Sequence, residues 1–367
     1  MQQSSAYGLS PPQWQEPWQV GAMRFEEAIR LTVARMAPTP ALKASVVSCI
    51  KEMRLLLERV GRDWEILPYG SFANGFGTMI STLQCTCFIV GEELVSRNTF
   101  HDAARLLELS ICPALEGHDR FDIRDVSFAF DVLVIKMKFD GVLDVEVSCY
   151  NTTPLSSDRL LYAYASLDWR IRLVVLVAKF WYSRVCPHVP SDVIAYKVLY
   201  AMQVDEDIRL PVFPLDAFGE SGAWEHDDRV RRLQRTWQCT FSPVALLSRF
   251  FKFYAHDFRW GSEIVSICTG ERWTRKTEVW KRLSSQGLGE IPVEHPFEWQ
   301  RNYIDQVPRS DCETLRLAFG STLKDLCMGS APQPLICHNH VGGDEVEGDP
   351  QTCLGSVWHC REWPMSL

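Results

Sequence analysis

Apolar positions along the first third of the chain change period twice. Phe25, Ala28, Ile29, Thr32, Val33 and Met36 recur at helical spacing, and Leu42 to Val60 does so again until Gly61 closes the run. The period then shortens. Trp64 to Tyr69 predicts a short strand, Ser71 to Gly75 a turn or short helix, and Cys85 to Val90 an apolar strand of the kind that runs through a sheet. Phe100 to Leu109 returns to helical spacing. Ile123 to Phe128, Val132 to Phe139 and Leu143 to Cys149 then predict three strands, the last two joined through a turn at Asp140-Gly141. Strand, helix and strand closed by a terminal hairpin describe a small mixed sheet flanked by helices.

From Leu160 to Leu326 the pattern is mainly helical. Leu160 to Leu167, Arg170 to Arg184, Asp192 to Met202, Pro243 to His256 and Ser310 to Cys327 each carry an apolar face at helical spacing. Asp205 to Asp228 is acidic, contains Pro and Gly, and predicts a long surface loop. The expected class is α+β in two domains, with an irregular arm over residues 1–20, a sheet domain with leading helices over 21–159, a helical domain over 160–328 and an irregular tail over 329–367. The chain has no internal repeat.

Composition supports two separate cores, since 367 residues that are 46% hydrophobic and 23% charged are ordinary globular material. The net charge of −8 argues against avid, sequence-independent nucleic-acid binding, which needs a broad positive surface. Two basic clusters remain, Arg229 to Arg235 and Arg272 to Arg282, each with aromatic residues within or beside it. Such patches either grip RNA phosphates while stacking bases or are solvated helix faces. Thirteen cysteines, an odd number spread along both halves, fit buried thiols in a reduced compartment. The tail residues Cys337, His338, His340, Cys353, His359 and Cys360 are either an irregular reduced tail or a zinc site with Cys337 and His340 as one pair, although the gap from Cys353 to His359 or Cys360 matches no standard knuckle. Ile171 to Tyr182, the longest strongly apolar run, is broken by Arg172 and Lys179 and falls short of the roughly 20 residues that span a bilayer. With no secretory or transit signal at Met1-Gln2-Gln3-Ser4-Ser5, the expected location is cytoplasmic, with no membrane partner.

Three features carry candidate chemistry. Gly70-Ser71 can bring a close backbone and a hydroxyl to a phosphate, or it can be a turn that needs glycine for backbone reasons alone. Asp144 and Glu146 share one strand face, either as part of a metal site or as a solvated edge. Lys179 interrupts an apolar helical stretch, where a buried ammonium is costly unless it meets an anion. The other reading is a lysine whose stem packs along a helix edge while its head reaches water.

Taken in order, several segments resemble the noncanonical poly(A) polymerase and terminal uridylyltransferase family between about residue 40 and about residue 326. They are Tyr69-Gly70-Ser71 through Phe88, Leu143 through Asn151, Arg159-Leu160-Leu161-Tyr162-Ala163-Tyr164, Leu176 through Trp181, Ala195-Tyr196, Phe250 through Ala255, and Glu294-His295-Pro296-Phe297-Glu298. The resemblance implies a nucleotidyltransferase palm domain joined to a helical central domain, with the nucleotide in the cleft between them. It also implies transfer of a nucleoside monophosphate from ATP or UTP to an RNA 3′ end, using Mg2+ or Mn2+ held by three carboxylates.

Carried onto this chain, the first two of those carboxylates fall on Thr82 and Gln84 and the third on Glu146, with Asp144 beside it. Shifting the match by three residues places Cys85 and Cys87 there, and again no carboxylate. The nucleotide contacts fall on Gly70, Ser71, Asn151, Lys179 and Tyr196, with Ser183 in place of a second lysine and Arg301 in place of a histidine that favours UTP. Tyr196 is either a platform beneath the base or an aromatic filling the helical core. The expectation is a transferase fold with impaired chemistry that binds a nucleotide, RNA or an active protein partner. An active transferase relying on Glu146, Asp144 and an acidic residue from elsewhere, and a scaffold with a closed cleft, are the rival expectations.

Overall fold

The computed structural model describes residues 26–27, 29–91, 99–129, 132–187, 189–219, 223–274, 291–298, 310–328 and 335. The N-terminal arm, the basic stretch 275–282, Arg301 and the Cys/His residues of the tail lie outside these residues.

Helix α1 (Pro40–Val60) begins where sequence chemistry favours it: Thr39 Oγ1 accepts the Leu42 N–H at 3.1 Å, and Pro40 occupies the first helical position. Strand β1 (Trp64–Tyr69) pairs antiparallel with β2 (Leu83–Ile89), which pairs in parallel with β5 (Leu143–Cys149). Antiparallel neighbours β4 (Val132–Phe139) and β3 (Phe121–Ala129) complete a five-stranded sheet in the order β1-β2-β5-β4-β3. Asp140 and Gly141 take φ values of 51° and 71°, the left-handed pair that a tight hairpin turn requires. Helix α2 (Thr99–Leu106) runs on through Leu107–Ile111 into Cys112–Glu116 between β2 and β3.

Side-chain alternation divides the sheet into two chemically different faces. Cys85, Cys87, Ile135, Met137, Val145 and Val147 pack with Ile50, Met53 and Leu57 of α1 and with Leu107, Ile111 and Leu115. The opposite face presents Gln84, Thr86, Glu146 and Ser148. Near its β1 edge, Leu67, Tyr69 and Phe88 pack with Leu155 of α3 (Thr153–Leu167). Burial pushes the Cys149 thiol up to about 12 and raises those of Cys85 and Cys87, so these cysteines act as small apolar side chains.

The helical domain continues from α3 through α4 (Trp169–Val185), α5 (Ser191–Val204), α6 (Asp228–Thr236), α7 (Pro243–Lys252) and α8 (Ser310–Cys327). Trp181, Phe250, Phe251, Tyr254 and Phe319 form its aromatic centre, where the Trp181 indole donates to Thr322 Oγ1 at 2.9 Å. Glu263, on the short strand β6 (Glu263–Ile264), is fully buried beneath it. Its carboxylate accepts Tyr200 Oη at 2.7 Å, Arg259 N at 2.9 Å and Arg272 Nε at 2.8 Å.

The segment Asp205 to Asp228 corrects the surface-loop expectation. It contains two short helical turns, Leu215–Phe218 and Ala223–His226, and buries Ile208, Leu210, Phe213, Phe218 and Trp224 in the helical core. Phe213 lies 4.6 Å from Tyr164, and Phe218 stacks on Trp224 at 5.5 Å. Its acidic residues obscured apolar anchors that follow no regular period. The neighbouring basic run is occupied in part by ion pairs: Arg229 binds Asp216 and Asp227, and Arg231 binds Asp228. Among the described residues, no helix is long and apolar enough to cross a membrane.

Candidate nucleotide site

The candidate site begins where β1 ends. Gly70 has a φ of 76°, and its carbonyl accepts the N–H groups of Ala73 and Asn74 at 2.9 and 3.0 Å, folding the chain into a tight turn. A Cβ at this position would stand 2.2 Å from Gln84 Oε1. Gly70→Ala is therefore expected to cost about 1–2 kcal/mol for the left-handed backbone and to displace Gln84. A lower urea midpoint with an unchanged slope checks this; unaltered stability would mean that the turn does not need glycine.

Two helices of the other domain hold this turn. From α3, the Asp158 carboxylate accepts the Gly70 N–H and, at 3.0 Å, Asn74 Nδ2, while Asn74 Oδ1 accepts the Phe76 N–H at 3.1 Å. Burial pushes the Asp158 acid up to about 8, against the opposing effect of the two N–H donors. From α4, Lys179 Nζ donates to Ser71 Oγ at 3.2 Å and to the Phe76 carbonyl at 2.7 Å, and Arg172 Nε donates to the Gly75 carbonyl at 2.8 Å. Burial lowers Lys179 to about 8, with Asp192 of α5 opposing the shift. Ser191, at the start of α5, completes the cluster with its hydroxyl 3.2 Å from that of Ser71. Gly70, Ser71 and Lys179 are thus brought together. Asn74, Asp158 and Ser191 are additions that the sequence reading missed; the available signal was a pair of charges, Asp158-Arg159, inside an apolar helical run.

On the polar face of the sheet, Gln84 and Glu146 stand directly opposite each other in the parallel β2–β5 pairing. Gln84 Nε2 donates to Glu146 Oε2 at 2.9 Å. Half-buried Thr82 lies just before β2. Asp144 is two residues from Glu146 on the same face, but its side chain is 62% exposed and it pairs with Lys138 at 2.9 Å. Among the described residues, no three His, Cys, Asp or Glu side chains converge as a metal site.

Of the remaining described candidates, Asn151 lies beside this polar face, and Ser183 and Tyr196 lie on helices α4 and α5. Asn151 ties the end of β5 to the sheet, its N–H donating to Thr86 Oγ1 at 2.9 Å and its amide to Tyr69 Oη at 3.3 Å. Ser183 is exposed and donates to Phe180 O of its own helix at 2.7 Å. Tyr196 is fully buried in the helical core, where its ring serves packing.

A mixed sheet ending in a Gly-Ser turn, met by helices that supply a lysine, is an arrangement that solved nucleotidyltransferase structures share in fold. Residues 244–301 match the model of the Cid1 family poly A polymerase. The terminal uridylyltransferase cid1 of Schizosaccharomyces pombe is 23% identical over 315 residues, covering 78% of this chain and 75% of that protein. Poly(A) RNA polymerase GLD2-A of Xenopus laevis is 24% identical over 291 residues, covering 74% of this chain and 54% of that protein. The chain thus spans about half the length of the frog relative. A crystal structure of the Cid1 poly(U) polymerase with MgGTP bound aligns with a TM-score of 0.64 at 19% identity, covering 88% of this chain and 97% of the other. By these matches the chain is similar to the noncanonical poly(A)/poly(U) polymerase family of nucleotidyltransferases.

Proposed function

We propose that this protein keeps the cleft of a terminal nucleotidyltransferase without its chemistry, binding a nucleotide or an RNA 3′ end that it does not extend. The Gln84–Glu146 hydrogen bond carries this reading. Nucleotidyl transfer uses two divalent ions to stabilise the attacking and leaving oxygens, and magnesium demands hard, anionic oxygen ligands in octahedral geometry. Here one carboxylate remains, and an amide N–H group occupies one of its oxygens. The donor set of Thr82, Gln84 and Glu146 does not fit a pair of such ions, so no step is assigned to them.

The residues around the turn support retained binding. Gly70 and Ser71 offer backbone and hydroxyl groups, and Lys179 offers an ammonium already directed at Ser71. The test is incubation of the purified protein with Mg2+ or Mn2+, labelled ATP or UTP and an oligoadenylate primer. Extension should equal that of Glu146→Ala. Extension by the wild-type protein that Glu146→Ala abolishes would overturn the proposal.

A further inference from the structure

We infer that Asp158 determines which ligands this cleft accepts: its carboxylate occupies the Gly70 turn as an internal anion and disfavours a triphosphate until that charge is removed. The inference rests on the reading of the cleft as a nucleotide site. Both carboxylate oxygens are engaged, one by the Gly70 N–H and the other by Asn74 Nδ2. These donors sit in the turn that would face a terminal phosphate, and they already serve an anion of the protein. A phosphate oxygen seeking the Gly70 N–H would come close to a buried carboxylate, where little solvent screens the repulsion.

The surrounding charges do not remove that conflict. Lys179 from α4 is committed to Ser71 Oγ and the Phe76 carbonyl, and Asp192 of α5 adds negative charge that acts on both Asp158 and Lys179. Arg159, beside Asp158 on α3, and Arg172 on α4 direct guanidinium N–H groups to the carbonyls of Gly219 at 2.7 Å and Gly75 at 2.8 Å. Among the described residues, no carboxylate pair joins Glu146 on the sheet to gather screening cations.

The sign of the pH dependence follows. A triphosphate prefers neutral Asp158 and charged Lys179, so its affinity should rise as pH falls through about 8, where burial places both groups. The last ionisation of a phosphate, at a pKa of about 6, lies below that window.

Calorimetric titration of ATP and adenosine into the full chain tests the inference, using wild type, Asp158→Asn and Asp158→Thr. At about pH 9, Asp158→Asn should bind ATP at least ~10-fold more tightly than wild type, a difference of about 1.4 kcal/mol. The gap should narrow towards pH 7, with adenosine affinity equal in both proteins. Lys179→Arg keeps its positive charge across this range, so the pH dependence that remains in it reports Asp158 and does not require the Asp158 variants to fold. ATP binding that is no tighter in Asp158→Asn or Asp158→Thr, with a flat pH profile in Lys179→Arg, overturns the inference and leaves the nucleotide site standing. Absence of binding by both ATP and adenosine in every protein overturns the nucleotide site itself, and the inference with it.

Discussion

Thr82→Asp/Gln84→Asp is expected to extend an oligoadenylate primer in the presence of Mg2+ at least ~100-fold faster than the wild-type protein, since metal ions supply several kcal/mol of transition-state stabilisation. Gln84→Asp removes the amide that donates to Glu146 and places a carboxylate directly opposite it in the β2–β5 pairing. Thr82→Asp adds a second carboxylate one alternation step earlier. Like charges crowded this closely disfavour one another until a cation joins them, which is the electrostatic condition for metal capture. Either single variant should stay near the wild-type rate, and adding Glu146→Ala to the double variant should abolish the gain. Asp158→Asn in the double variant should raise the rate further at about pH 9, where it removes a negative charge from the Gly70 turn. A folded double variant that binds ATP and Mg2+ yet leaves the primer unextended would show that more than two residues separate this cleft from catalysis.

Glu263→Ala is expected to destabilise the helical domain by about 2–4 kcal/mol, since Tyr200 Oη and the Arg259 N–H each lose an acceptor at about 1–2 kcal/mol. The carboxylate is fully buried and gathers Tyr200 Oη, the Arg259 N–H and the Arg272 guanidinium. Truncation leaves Tyr200 Oη and the Arg259 N–H without their acceptor at a buried position, while the Arg272 guanidinium, 32% exposed, keeps access to water. Against a typical total stability of about 5–15 kcal/mol, that is a large fraction. Glu263→Gln keeps an acceptor oxygen and should lose less. Asp144→Ala provides the contrast, because an exposed pair such as Asp144–Lys138 contributes no more than about 1 kcal/mol. Equal unfolding midpoints for Glu263→Ala and Asp144→Ala would contradict the assignment of Glu263 as the anchor of this region.

The sheet was the most legible part of the sequence. Trp64–Tyr69, Val132–Phe139 and Leu143–Cys149 form strands with the bounds that their periodicity predicts, and Asp140-Gly141 supplies the turn between the last two. Strand β2 starts at Leu83, two residues before the predicted Cys85, because the fully buried Leu83 and the polar Gln84 already follow the sheet's alternation. The segment Asp205 to Asp228 was illegible for a different reason: Phe213, Phe218 and Trp224 reach the core singly, with no repeating face to betray them.

At the candidate site, Gly70, Ser71 and Lys179 could be picked out because each residue type is unusual where it stands. Asp158 carried a similar signal, a charge inside an apolar helical run, but not its role, which comes from a partner 88 positions earlier in the chain, a relation that helical spacing does not encode. Tyr196 shows the converse limit. An aromatic residue on a helix has the same period whether it lines a cleft or fills a core, and only the packed structure places this one at full burial.

The Gln84–Glu146 contact also bears on how the sheet assembles. The β2–β5 pairing is parallel and joins residues 62 positions apart, so it closes a long loop and depends on correct register. Carboxylates at positions 82, 84 and 146 would resist that closure in the absence of cations. An amide opposite a carboxylate instead gives the two strands a mutual attraction at the step where they meet. The Gln84–Glu146 pair would therefore serve as a register clasp, allowing the central strands to zip together without a divalent ion.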